Sequence, residues 1–296
     1  LKQYHKLLKD ILEYGENVND RTGVGTRSIF GYQMRFDLSA GFPAVTTKKL
    51  AWKAVVGEIL WFLEGSTDER RLAELTFGKS REDLIGKSTI WTANADSQGK
   101  ALGYVNTDLV KELGPVYGAQ WRRFNYYNDP IAGEDQIEGI INQLHNHQDS
   151  RRIILSAWNP MLISDMALPP CHYAFQLRVY NNKLSGMLTM RSNDVFLGAP
   201  FNIASYALLI HILAKEVNMQ VGELVYSVGD AHIYHNHFNQ VKEQLLRKEY
   251  PLPTLEIDVN FDLIDRLKNG FRLDDANAFE LKNYLHHPTI KGQMAV

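Results

Sequence analysis

A single α+β domain with a central mixed sheet flanked by helices is predicted by three observations. Segments of period-two alternation crowd into the middle of the chain, and segments with apolar spacing of three and four lie on either side. The two kinds do not alternate as regular βαβ units. No internal repeat and no Pro/Ser-rich linker divides the 296 residues, a length that one large domain can fill.

The elements follow in order. Tyr4, Leu7, Leu8, Ile11 and Leu12 recur at helical spacing, and Gly15 with the polar stretch 17–20 ends that amphipathic helix. After DRTGVGT, Phe30, Tyr32, Met34 and Phe36 alternate to one side, as in a half-buried strand. Residues 51–63 (AWKAVVGEILWFL) are apolar almost all round, which predicts a central helix with Glu58 inside it. A carboxylate in that setting needs a task. Between 66 and 128 the chain is richer in charge, and Gly78, Gly86, Gly99 and Gly103 interrupt short helical pieces. Within the one domain, 1–296, a variable insertion is therefore expected at about 66–112. Ile137, Ile140, Ile141 and Leu144 mark another helix, and strands are predicted at 152–158, 173–180, 183–190 and 223–228. The apolar run 203–214 is too short to span a bilayer and holds a histidine, so it reads as a buried helix.

Composition limits the function classes. Lys plus Arg number 32 against 34 Asp plus Glu, a net charge of −2, so no global positive field favours nucleic acid and no DNA substrate is expected. Cys171 is the only cysteine, which excludes an intrachain disulfide and a Cys-rich zinc site and suits a reducing compartment. Residues 1–15 lack a signal-peptide pattern and no membrane segment is found, so a cytoplasmic protein is expected.

Several motifs reduce to bland readings. The Gly-Lys-Ser triplets at 78–80 and 86–88 have Ala73 and Arg81 where a phosphate loop needs glycine. Gly23-Val24-Gly25 lacks the third glycine of a dinucleotide fingerprint and leads into a strand. HIYHNH, with His232, His235 and His237, lacks the HExxH pattern and an adjacent acidic ligand, so no metal is expected.

Three features carry chemistry. Cys171 in ALPPCH is either an inert core residue or a nucleophile, and the arginine-bearing strand ends Ser150-Arg151-Arg152 and Met190-Arg191-Ser192-Asn193-Asp194 favour the second reading. Those guanidinium groups suit a thiolate or a phosphate dianion, and paired arginines on a solvated loop are the even alternative. Asn202 is either the N-cap of the buried helix or, through its donor and acceptor, a reader of the N3–H and O4 edge of uracil.

Together these pieces resemble the folate-dependent thymidylate synthase family. The likeness runs nearly end to end through DRTGVGT, GFPAVTTKKLAWK, EILWFLEGST, TIW, LGPVYGAQWR, DSRRIILSAWNP, ALPPCH, RSNDVFLGAPFNIASY, GDAHIYHNH and IKGQMAV. The resemblance implies a homodimer packed through its sheets, in which the Cys171 thiolate adds to C6 of dUMP. C5 then takes the one-carbon unit of 5,10-methylenetetrahydrofolate, and loss of the C5 proton with hydride transfer gives dTMP and dihydrofolate without a metal. It further implies that Arg21, Arg191 and Ser192 hold the phosphate, joined by Arg151 and Arg152 from the other subunit. Asn202 would read the base, and His232 and Tyr234 would bond the ribose hydroxyl. Glu58 would organise water and protons, His172 would support that network, and Tyr117 would lie near the C5 proton. Trp91 and Asp194 would contact the pterin, Lys48 the glutamate tail, and Val296 would close over both ligands.

There are departures from the family pattern. Thr189-Met190-Arg191-Ser192 stands where many relatives read YQRS, and Met187 replaces a second frequent glutamine. With Val228 before Gly229, these positions resemble the sister nucleotide hydroxymethylases, in which water completes the reaction, and a dUMP hydroxymethylase is the alternative expectation. Some synthases share the RSND form. The dCMP enzymes of that group carry aspartate at the position of Asn202, so dUMP is expected here. After Trp91 the chain reads Thr92-Ala93-Asn94, where relatives often have an acidic residue and a second tryptophan. A non-catalytic nucleotide-binding dimer is the reading from another class.

Overall fold

The computed structural model describes residues 1–20, 22–124 and 133–294; the expectations on Arg21 and Val296 lie outside the described residues. In chain order, α1 (Lys2–Tyr14) leads into β1 (Glu16–Val18) and β2 (Thr26–Asp37), followed by α2 (Trp52–Glu64) and α3 (Glu69–Phe77). The short α4 (Thr92–Asn94), α5 (Tyr117–Arg122) and α6 (Gln136–Asn146) precede β3 (Ile154–Ser156), β4 (His172–Tyr180) and β5 (Lys183–Asp194). Then come α7 (Ala199–Glu216), β6 (Gln220–Tyr234), α8 (Phe238–Leu246), β7 (Thr254–Ile257), α9 (Leu263–Asn269) and β8 (Phe279–Lys282).

Six strands make one mixed sheet in the order β1-β2-β6-β5-β4-β3, and β7 pairs with β8 apart from it. All neighbours in the large sheet are antiparallel except β5 and β6. That parallel pair needs a crossover, which α7 supplies.

The α2 and α7 sequences are apolar on nearly every side because both helices are enclosed. Val55, Val56, Ile59, Leu60 and Trp61 of α2 and Ile203, Leu208 and Leu209 of α7 are buried together with Phe175, Leu177, Leu188 and Leu224 of the sheet. Each such side chain contributes about 1.5–3 kcal/mol through the water it sheds. The α2 helix stops where Gly65 turns left-handed at φ 77° and donates its N–H to Phe62 O. In α3 the Asp68 carboxylate caps the start by accepting the Arg70 N–H, and in α6 Asp135 accepts from Ile137 and Glu138.

The predicted helices at the start, at 51–63, at 137–144 and at 203–214 all form, as do the four predicted strands of the middle region. Two strands run further than periodicity suggests. The β5 strand continues through Arg191, Ser192, Asn193 and Asp194, and β6 through Asp230, His232 and Tyr234, because backbone pairing persists where polar side chains interrupt the apolar pattern. One expectation for β2 is corrected. Met34 and Phe36 are buried, but Phe30 is 87% exposed; the left-handed Gly31, φ 84°, interrupts the alternation between them.

Candidate active site

Cys171 stands immediately before β4, and α5, β4 and β5 fix its surroundings. Its backbone N–H donates to the Tyr117 hydroxyl at 2.7 Å, and its carbonyl accepts the Arg191 N–H at 2.9 Å. The Arg191 guanidinium donates from Nε to Pro170 O at 2.8 Å and from Nη2 to Pro169 O at 3.0 Å. Those bonds hold Nη2 at 3.7 Å from Cys171 Sγ. Burial pushes the thiol pKa up while Arg191 pulls it down, and burial prevails. The sulfur is therefore protonated at neutral pH, with a cation beside it that favours the thiolate form.

Tyr117, bonded to the Cys171 backbone, joins this residue to a second wall. Its ring stacks on His172 with centroids 4.1 Å apart and meets Trp91 edge-on at 5.8 Å. The Trp91 indole N–H donates to Glu58 Oε1 at 2.7 Å. Burial raises the Glu58 carboxyl to about 7, with the Trp91 hydrogen bond acting in the opposite direction. Glu58 can therefore exchange a proton near neutral pH, which is the task its place in an apolar helix called for. His172 lies 2.8 Å from the Tyr206 hydroxyl, and burial lowers its pKa to about 3, so its imidazole is neutral.

The floor of the site is a chain of amides. Tyr226 donates to Asn193 Oδ1 at 2.9 Å, and Asn193 Nδ2 donates to Asn202 Oδ1 at 3.0 Å. This orients the Asn202 carboxamide and leaves its Nδ2 donor without a partner among the described residues. Gly198, not Asn202, is the N-cap of α7, so the capping alternative falls away. A Cβ on Gly198 would stand 3.2 Å from Asn193 Nδ2 and 3.5 Å from Asn202 Oδ1, so glycine lets the helix approach the amide pair.

At the paired ends of β5 and β6, Ser192 lies opposite Asp230 and Asp194 opposite His232. His232 Nδ1 is 2.8 Å from Asp230 Oδ1, and the Tyr234 ring lies 5.3 Å from the His232 ring. Asp194 accepts the N–H groups of Phe196 and Leu197 on Oδ1 at 2.9 and 3.0 Å. Its Oδ2 has no partner among the described residues. Lys48 is buried, bonded to Phe196 O, with Nζ 3.8 Å from the Phe196 ring centre; burial lowers its pKa to about 8.

The chain thus brings together Cys171, Glu58, His172, Tyr117 and Trp91, and sets Arg191, Ser192, Asp194, Asn202, His232 and Tyr234 on the adjoining strand and helix ends. It does not bring Arg151 and Arg152 into this cluster: both are exposed just ahead of β3, with no ion pair among the described residues. Sequence reasoning missed Asn193, Tyr206 and Tyr226. Tyr206 carries the signal that exposed Glu58, a hydrogen-bonding group inside an apolar helix, four residues after Asn202. Among the described residues no group of three His, Cys, Asp or Glu side chains is placed to hold a metal. His232, His235 and His237 instead bond Asp230, Asn17 Oδ1 and Gln293 O.

A cysteine beside an arginine and a buried carboxyl raised to about 7, linked through Tyr117 and Trp91 on a mixed sheet walled by buried helices, form a site suited to covalent group transfer. The family model described as thymidylate synthase matches residues 2–296, and the chain belongs to that family. It is similar to the probable thymidylate synthase of Escherichia phage T5, at 49% identity over 296 residues, and to the thymidylate synthase of Enterobacteria phage T4, at 46% over 302. The thymidylate synthase of Francisella tularensis subsp. holarctica is 46% identical over 309 residues. In each comparison 100% of both chains is covered.

Proposed function

We propose that this chain methylates dUMP to dTMP, with 5,10-methylenetetrahydrofolate supplying the carbon and the hydride and leaving as dihydrofolate. As a thymidylate synthase it is a methyltransferase. The observation that carries the reading is the continuous line from Cys171 through Tyr117 to Trp91 and Glu58. The Cys171 thiol gives its proton up to solvent, Arg191 beside it favours the resulting thiolate, and that sulfur adds to C6 as the C5–C6 electron pair moves towards O4. Charge then develops at O4 and C5, where the free Nδ2 of Asn202 donates. Glu58 moves protons for folate opening and one-carbon transfer, and Tyr117 lies near the C5 proton. His172, held neutral by burial, braces Tyr117 by stacking.

Arg191 and Ser192, with Arg21, take the phosphate, and His232 and Tyr234 take the ribose hydroxyl. The folate fits the same end of the sheet: the unused Oδ2 of Asp194 accepts from a pterin, beside the Trp91 indole. Lys48 and the terminal Val296 complete that side. A homodimer supplies Arg151 and Arg152 across its interface. Support for it comes from the sheet face opposite the helices, where register puts Ile154, Gln176, Met187 and Val225 in one row. Ile154, Met187 and Tyr180 are 46%, 36% and 65% exposed there. The lone free thiol fits a cytoplasmic setting, and among the described residues no helix is long and apolar enough to cross a membrane.

The hydroxymethylase alternative has no support. The relatives compared are named as synthases, Met190 and Val228 are core side chains, and Met187 belongs to the open sheet face. Incubation with dUMP and methylenetetrahydrofolate is expected to raise dihydrofolate absorbance, with dTMP as the product by mass spectrometry; 5-hydroxymethyl-dUMP or no product would reject the proposal. For the dimer, Cys171→Ser and Arg152→Glu subunits, each inactive alone, are expected to regain activity when hybridised. A hybrid that stays inactive would refute the shared site.

A further inference from the structure

Glu69 and Arg70 are neighbours at the start of α3, 0% and 1% exposed, and their charges meet in a bidentate pair at 2.6 and 2.7 Å. Such a pair in the interior is costly to desolvate and is a poor choice for stability alone. Its remaining bonds all run to one stretch of chain. Arg70 Nη1 donates to Leu84 O at 3.2 Å and Lys87 O at 3.0 Å. Glu69 Oε1 accepts the hydroxyls of Thr89 and Thr92, both at 2.6 Å. The two threonines also hold each other and Trp91: Thr89 N–H donates to Thr92 Oγ1 at 2.8 Å, and Trp91 N–H to Thr89 Oγ1 at 3.2 Å. Trp91 is the partner of Glu58.

We propose that Glu69, anchored by Arg70, is a positioning residue for this reaction: through Thr89 and Thr92 it fixes the turn that aims the Trp91 indole at Glu58. The inference rests on the acid–base reading of Glu58. It also gives Thr92 a purpose, since a hydroxyl at that position can donate to Glu69 where a carboxylate would repel it.

The titratable groups around Glu58 are Tyr117 and Tyr206, with His172 and Cys171 behind them. Burial keeps both tyrosines and His172 uncharged near pH 7, so the Trp91 hydrogen bond is the adjustable influence on Glu58. A loosened Trp91 then means a higher Glu58 pKa.

The test introduces 5-fluorotryptophan into the whole protein and follows the fluorine resonance of Trp91, assigned by its loss in Trp91→Phe, from about pH 5 to about pH 9. It should titrate with a midpoint of about 7 that vanishes in Glu58→Gln. Thr92→Val and Glu69→Gln should raise that midpoint by about one unit and lower kcat on the order of tenfold, with the KM for dUMP unchanged. Thr92→Ser should restore both. If Glu69→Gln fails to fold because Arg70 is left unpaired, the double variant Glu69→Gln/Arg70→Met removes both charges and should match Thr92→Val. An unmoved midpoint in Thr92→Val, or a Thr92→Ser that behaves like Thr92→Val, overturns the proposal. The resonance needs no turnover, so a protein that shows these shifts but forms no dTMP refutes the catalytic reading of Glu58 and leaves the positioning intact.

Discussion

Cys171, Arg191, Asn193 and His232 hang on or beside neighbouring strands, whereas Glu58 and Trp91 stand on a buried helix and on a stretch of short turns. On the strand side, backbone pairing sets each position and side-chain bonds only adjust it; Arg191 is held by both its own N–H and its guanidinium. On the helix side, α2 supplies the apolar surroundings that raise the Glu58 carboxyl, and its partner Trp91 is held by threonine side chains as well as by its carbonyl, which accepts the Ala95 N–H. In the proposed mechanism the sheet gives the reaction its geometry and the helix gives it a titratable group, so damage to the two sides should read out differently.

The largest effect is expected on the strand side. Cys171→Ser should cost turnover by at least about 10³-fold while dUMP still binds in equilibrium dialysis. Loss of binding as well would mean that sulfur also shapes the pocket. Glu58→Gln should lower kcat by about 10²-fold or more. It also tests the desolvation argument, because a carboxyl raised in the folded state is a stabilising proton store only at low pH. The folded protein holds that proton while the unfolded chain loses it, so the Glu58 contribution to stability falls as pH rises from about 4.5 to about 7 and is level above. The contribution is on the order of 3 kcal/mol at most, and because buried His172 and His5 shift stability the other way over the same window, urea unfolding should show it as the difference between the parent and Glu58→Gln, which shrinks by that amount from about pH 4.5 to about pH 7.

Smaller effects sharpen the picture of the amide floor. Asn202→Asp should move preference from dUMP toward dCMP by about 10²-fold in the ratio of kcat/KM values, since a carboxylate accepts where uracil needs a donor. Unchanged preference would assign base reading to another group. Tyr226→Phe removes the first donor of the chain that orients Asn202 and should relax the same ratio by only about threefold to tenfold, roughly the worth of one hydrogen bond.

Legibility in the sequence followed the same division. The helices at 51–63 and 203–214 were plain because burial makes their whole surface apolar, and Glu58 stood out against that background. Strand ends were hidden for the opposite reason. Arg191, Asn193, Asp230 and His232 are polar at strand ends that carry the proposed site, so the alternation that marks a strand stops before the strand does. Asn193 and Tyr226 escaped notice because their bond spans 33 positions along the chain, and no local pattern encodes it. Phe30 was misjudged because one glycine with φ 84° is invisible to a period-two reading. Arg151 and Arg152, which the family resemblance assigns to another subunit, are exposed in the single chain.

The parallel neighbours β5 and β6 have a kinetic corollary. A hairpin can close as soon as both its arms exist, but these two strands cannot pair until the intervening α7 has wound and docked. The phosphate and ribose contacts proposed for their shared end would thus come into being only with the slow, long-range part of folding, and nucleotide capture during refolding would time the completion of the sheet.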